Sequence, residues 1–256
     1  MKIEIKQTKL IEILDYLYVD GLFPFSIIST KGGKLVSVQS HKDGIAFRFA
    51  SFLGDYFKSI TKEEETVQID IEKIKKFASL RNPDAIITLE YPVNKKLKIS
   101  SERARNMLSV PTLDADVAKT GLPFQMKEGI PHLRKGTVPL SAHVAISLKS
   151  FKTMNDYAVA HGTEFFRFKI GENKKLQVDI GDMNAMEDKT EYNPNCQVFK
   201  TDGDLDVTFT KGIKELSKTF SRDVDIYLKS NMPAWFSEVS QSHKFGVLLS
   251  PLRQEA

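Results

Sequence analysis

One cysteine, Cys196, stands in 256 residues, which excludes an intramolecular disulfide and a cysteine-built zinc site. Its neighbours Asn193–Asn195 read as a turn, so a structural thiol is expected there rather than a nucleophile. No apolar run approaches the length needed to cross a membrane. The opening MKIEIKQTKL goes straight into charged, alternating sequence instead of a secretory leader, so a cytoplasmic (nucleoid) or nuclear location is expected. The five histidines (His41, His132, His143, His161, His243) lack metal-ligand spacing. Thr30-Lys31-Gly32-Gly33-Lys34 lacks the spacing and the Ser/Thr of a phosphate-binding loop and reads as a hairpin turn. Asp202-Gly203-Asp204-Leu205-Asp206 opens like a calcium loop, but Val207 and Ile213 occupy the positions that need Gly and Glu. Helix-turn-helix spacing, zinc knuckles and aromatic RNA-binding signatures are missing too. No cofactor, metal or catalytic site is expected. One enzyme alternative stays open, a metal-dependent nucleic-acid-processing site built from Asp179, Asp182, Glu187 and Asp188.

What is present is an ordinary globular composition, 41% hydrophobic and 27% charged, with a net charge of +4. The charge is unevenly placed. Four segments carry apolar residues at helical spacing: Thr8–Tyr18, Ile71–Arg81, Leu148–Ala160 and Thr210–Arg222. They hold Lys9, Lys73, Lys75, Lys76, Arg81, Lys149, Lys152, Lys211, Lys214, Lys218 and Arg222 against Glu12, Asp15, Glu72, Asp156 and Glu215. The helical segments therefore net +6 and the rest of the chain −2. Such a concentration is the footprint of a polyanion binder, although lysine also simply favours solvated helix faces. Lysines with few Asn, Gln or Arg suit phosphates rather than base edges, so binding without sequence preference is expected.

The order of elements repeats. Lys2–Lys6 alternates as a strand, and Leu10, Ile13, Leu14 and Leu17 form a helical stripe. Strands follow at Phe23–Thr30, Leu35–Ser40, Gly44–Ser51 and Thr66–Ile69. A helix capped by Asp70 comes next, then strands Ala85–Tyr91, Lys96–Ser100 and Asn106–Val110. After the bridge Asp114–Leu140 come strand His143–Ser147, helix Leu148–Ala160, strands Glu164–Ile170, Leu176–Ile180 and Leu205–Phe209, and a helix capped by Thr210. Val224–Leu228, Trp235–Ser240 and Phe245–Leu249 close the chain. Phe151 lies 138 positions after Ile13, and Ile213 lies 142 after Ile71. A shared order at a near-constant offset points to an internal duplication. The expected fold is α+β, with helices covering one face of an antiparallel sheet in each half. The domains are read as 1–114 and 141–256, joined by a connector at 115–140. That bridge shows neither helical nor strand periodicity.

With these elements in place, the chain resembles the sliding clamps of the proliferating-cell-nuclear-antigen type over nearly its whole length. The resemblance rests on Val36–Ser40 with His41, on Ile71-Glu72-Lys73-Ile74-Lys75-Lys76, and on Asn82-Pro83-Asp84 leading into Ile86–Leu89. It continues in Val207-Thr208-Phe209 with the following helix, Ser230-Asn231-Met232-Pro233 and Leu248-Leu249-Ser250-Pro251. It implies a non-enzymatic ring, a trimer of two-domain subunits, that encircles duplex DNA. Such a ring tethers DNA polymerase and repair proteins, and a clamp loader opens it with ATP. Lys73 and Lys76 match basic positions facing DNA. Lys9, Arg81, Lys149, Lys152, Lys211, Lys214, Lys218 and Arg222 are assigned to the same role by helix. A partner peptide is expected at Val38, His41, Gly121, Leu122, Pro123, Pro233, Leu248, Ser250 and Pro251. Subunits are expected to pair through Asn106–Leu113 and Met186–Tyr192. The family is commonly acidic, whereas this chain is basic. The bridge also exceeds the family pattern by roughly a dozen residues. These departures leave open a divergent clamp, a subunit of a mixed ring or a specialised repair- or checkpoint-type clamp, and Lys127 to Val138 is where this protein is expected to differ.

Overall fold

A computed structural model of the chain describes residues 1–112, 122–128, 130–134, 138–181, 189–201 and 203–252. The chain divides into two units. The first comprises Met1–Lys42, Arg48–Thr120 and Val239–Phe245; the second comprises Asp43–Phe47, Gly121–Glu238 and Gly246–Ala256.

In chain order the first elements are β1 (Lys2–Lys6), α1 (Gln7–Tyr18), β2 (Phe25–Lys31), β3 (Lys34–Ser40) and β4 (Ala46–Phe52). Then come β5 (Ser59–Ile60), β6 (Glu65–Asp70), α2 (Ile71–Ser79), β7 (Ile86–Val93), β8 (Lys96–Ser101) and β9 (Ala104–Ser109). β10 (Phe124–Lys127), β11 (Ile130–Leu133) and β12 (Val138–Pro139) follow. The second series is β13 (Ala142–Ile146), α3 (Leu148–His161), β14 (Phe166–Ile170), β15 (Leu176–Gly181), β16 (Lys189–Tyr192) and β17 (Cys196–Lys200). It ends with β18 (Leu205–Phe209), α4 (Ile213–Thr219), β19 (Val224–Leu228), β20 (Ala234–Val239) and β21 (His243–Leu249).

The two series have one topology. Strand order β5-β1-β7-β8-β9 in the first is matched by β17-β13-β19-β20-β21 in the second. Order β4-β3-β2-β6 is likewise matched by β16-β15-β14-β18. Pairing is antiparallel, as in β1 with β7 and β13 with β19. Each helix pair packs together, α1 on α2 and α3 on α4. The cores follow the apolar stripes: Leu10, Ile13, Leu14 and Leu17 of α1 and Phe151, Met154 and Ala158 of α3 are all buried. Burying a side chain of this kind contributes about 1.5–3 kcal/mol each. The expected α+β architecture with antiparallel sheets and four helices is therefore present among the described residues.

Helix ends are set by local chemistry. Asp70 accepts from the Lys73 N–H at 3.0 Å, and Ser147 accepts from the Ser150 N–H at 3.2 Å. The expected Thr210 cap is corrected. Gly212 is the N-cap of α4 at φ 93°, with the Glu215 carboxylate accepting from its N–H at 3.0 Å. A side chain at 212 would face both the left-handed backbone and Leu249, whose Cδ2 is 2.5 Å from an added Cβ. Helix α2 also stops at Ser79 rather than Arg81.

The bridge differs most from the sequence reading. Phe124–Lys127, Ile130–Leu133 and Val138–Pro139 pair into a small antiparallel sheet. Its anchor is Phe124, buried edge-on against Trp235 with ring centroids 4.7 Å apart. The indole in turn lies flat on Gly246, where an added Cβ would be 2.2 Å from Trp235 Cζ2. These contacts lie within the second unit. The alternation is hidden in sequence because Pro131 and Pro139 interrupt it. Strands β5 and β17 are two further additions to the sequence reading.

Candidate nucleic-acid interface

The basic residues singled out in sequence sit on or beside the four helices, outward of the apolar stripes. In the first unit most are already engaged. Lys9 pairs with Glu12 at 2.8 Å and stands 4.8 Å above the Tyr56 ring. Lys73 pairs with Asp70 at 2.9 Å, and Lys75 reaches from α2 to Asp15 of α1 at 2.5 Å. Tyr18 donates to Glu72 at 2.5 Å, a second tie between the two helices. Lys76 is exposed and takes no ion pair among the described residues. Arg81 is half-buried, and its Nε and one terminal nitrogen are enclosed without a hydrogen-bond partner.

Glu12 ties this face into the core. Burial alone would raise its carboxyl pKa, but hydrogen bonds from Lys9 and from Tyr56 Oη at 2.7 Å more than reverse that, leaving it below the ordinary value. Tyr56 Oη is also 3.0 Å from His243 Nδ1, and Tyr16, Phe52 and Phe245 complete the aromatic cluster. Moving Glu12 would therefore disturb packing as well as charge.

In the second unit the acids are used differently. Glu215 bonds the Gly212 N–H, and Asp223 accepts from the Leu148 N–H at 2.9 Å, so both cap helices. Lys149, Lys152, Lys211 and Arg222 are exposed and Lys214 is half-buried. None of these five takes an ion pair with another described residue. Lys218 is exposed at the end of α4. An array of ammonium and guanidinium groups without a base-reading set neutralises phosphates and carries no sequence information.

The peptide-docking set falls in both units. Val38 and His41 are half-buried in the first; Leu122, Pro123, Pro233 and Pro251 are half-buried in the second, with Leu248 buried and Ser250 exposed. Ser250 N donates to Ile45 O at 2.9 Å and its Oγ to Gly44 O at 3.2 Å, which fixes that end of the second unit. Gly121 lies outside the described residues.

The enzyme alternative fares poorly. Asp179 is buried, ion-paired to Lys169 and hydrogen-bonded by Gln177 Nε2 at 2.8 Å. Burial would raise its pKa, but those two donors hold it below the ordinary carboxylate range. Both of its carboxylate oxygens are engaged, which makes it a structural anion. Asp182, Glu187 and Asp188 lie outside the described residues. Among the described residues no cluster of His, Cys, Asp or Glu could hold a metal ion. Burial pushes the Cys196 thiol pKa up, in keeping with a structural role.

Solved structures match the chain end to end. The PCNA of A. fulgidus, solved with the C-terminal region of FEN-1 bound, superposes with a TM-score of 0.75, covering 100% of this chain and 99% of its own at 14% identity. The chain has the clamp fold. Proliferating cellular nuclear antigen from Entamoeba histolytica agrees at TM-score 0.77, with 98% of both chains covered and 11% identity. A Sulfolobus tokodaii PCNA2–PCNA3 complex contributes a chain at TM-score 0.71, covering 98% of this chain and 99% of its own at 14% identity. No family model and no curated protein matches the sequence. The clamp fold is thus shared at 11–14% identity.

Proposed function

We propose that this chain is the subunit of a ring-shaped sliding clamp, a trimer that encircles duplex DNA without sequence preference and tethers DNA polymerase and repair proteins. The observation that carries it is the full-length clamp fold combined with cations gathered on all four helices. The two clamp domains are 1–114 and 141–256, with 115–140 as connector. Strands β9 and β16 end their sheet orders, and such open edges are suited to head-to-tail pairing between subunits. The role is that of a non-enzymatic scaffold in the nucleoid or nucleus, opened by a clamp loader. Because the A. fulgidus relative carries a FEN-1 segment, the set Val38, His41, Gly121, Leu122, Pro123, Pro233, Leu248, Ser250 and Pro251 is proposed to receive partner peptides of that kind.

Light scattering with electron microscopy of the purified chain tests the reading. A trimeric ring is expected. A strict monomer that degrades DNA with magnesium would contradict it and revive the metal-enzyme alternative.

A further inference from the structure

The connector sheet β10–β12 lies in the second unit, which also carries most of the docking set. Phe124 follows Leu122 and Pro123 directly, Trp235 stands two residues after Pro233, and Gly246 two before Leu248. Strands of four, four and two residues pair only with one another among the described residues. A sheet this small is marginal by itself. Its first turn adds cost, because Glu128 sits at φ 50°, a left-handed conformation that side chains disfavour.

One apolar face holds the sheet down. The register sets Phe124 opposite Leu133 and Met126 opposite Pro131, so these four side chains share a face. Phe124, Leu133 and Pro131 are buried, while Gln125 and Lys127 of the other face are exposed. Phe124 meets the Trp235 indole edge-on, an arrangement that aromatic pairs favour. The indole rests on Gly246, which has no side chain to lift it. Gly246 and Leu248 alternate onto the same face of β21, and Leu248 is only 9% exposed. An aromatic slot thus sits beside docking positions of this unit, and the chain's own Phe124 fills it.

We propose that the connector sheet is an autoinhibitory strap: Phe124 occupies the slot on Trp235, and a partner peptide bearing an aromatic side chain docks by displacing it. This assigns a regulation to the docking positions and rests on the docking reading. Release of the strap breaks side-chain contacts, but no strand pairing with the larger sheets. A site open in only a fraction of the molecules binds more weakly by that fraction. Loosening the strap must therefore tighten binding.

The test uses the full chain, whose single tryptophan is Trp235. The probe is a labelled peptide from the C-terminal region of FEN-1, the segment bound to the A. fulgidus relative. Fluorescence anisotropy reads peptide binding, and Trp235 emission with acrylamide quenching reads the slot. Phe124→Ala empties the slot; Leu133→Ala loosens the other large buried anchor and leaves both rings in place. Neither residue belongs to the docking set. The expected result is a red-shifted, more readily quenched Trp235 in Phe124→Ala, with peptide affinity raised about tenfold there and about threefold in Leu133→Ala. If Phe124→Ala fails to fold, Leu133→Ala carries the same test. Unchanged or weaker binding in the variants overturns the strap and leaves the docking reading standing, with Phe124 a fixed wall of the site. No binding by the wild type or by either variant overturns the docking reading and the strap with it.

Discussion

The two units share a topology and a lysine-rich pair of helices, yet they use their acids differently. In the first, Glu12, Asp15 and Asp70 sit on the lysines themselves. In the second, Glu215 and Asp223 are spent on helix N-termini, and Lys149, Lys152, Lys211, Lys214 and Arg222 are left without ion pairs among the described residues. Asp70 does both, capping α2 with one oxygen and pairing with Lys73 through the other, whereas Glu215 and Asp223 serve helix N-termini and take no ion pair among the described residues. One topology can therefore carry more or less unpaired positive charge on its helices. Counting basic residues in sequence overstates the unpaired charge of the first unit.

If that difference governs DNA contact, the largest effect belongs to the second unit. Lys149→Glu with Lys152→Glu is expected to lower affinity for linear duplex about tenfold or more and to flatten the salt slope by roughly two. The check is fluorescence anisotropy across a salt series. Lys73→Glu with Lys76→Glu removes one already offset charge and one unpaired charge, so a loss of about threefold and a slope change of roughly one are expected. Equal losses in the two double variants would erase the contrast.

Asp15→Asn should act in the opposite direction, raising affinity about twofold by freeing Lys75. Its stability, read by thermal denaturation, should change by no more than about 0.5 kcal/mol, because the pair is solvent-screened. The smallest effect is on pH dependence. Glu12 has a folded pKa below its unfolded value, so its stabilisation is complete above the ordinary carboxylate pKa. It is lost as pH falls through the lower folded value. Comparing acid denaturation of wild type and Glu12→Gln should show a difference of at most about 0.5 kcal/mol after solvent screening, present at neutral pH and vanishing in acid.

Much of this molecule was legible from its residues. The four apolar stripes, the Asp70 cap and the repeated order of strands are local patterns with a fixed period, and each is present in the structure. The Lys9–Glu12 and Lys73–Asp70 pairs were also readable, being three residues apart on one helix face. The Lys75–Asp15 pair was not, because it joins residues 60 apart in sequence. The connector sheet was hidden for the same kind of reason. Phe124 is ordered by Trp235 on a distant strand, and no local period announces a tertiary contact. Arg48 reads in sequence as an outward residue of an alternating strand, whereas the fold buries it under Phe23 and among Ser26, Ser37 and Gln39. The Gly212 cap has no local signature, because its role depends on Leu249 as much as on φ.

The clamp reading is tested most directly by retention on DNA of two shapes, with the protein loaded by its clamp loader and ATP. A ring that encircles duplex stays on a closed circle through a high-salt wash and leaves the same DNA once it is cut to a linear form. Equal retention on circle and linear duplex, or loss from both, would contradict the account.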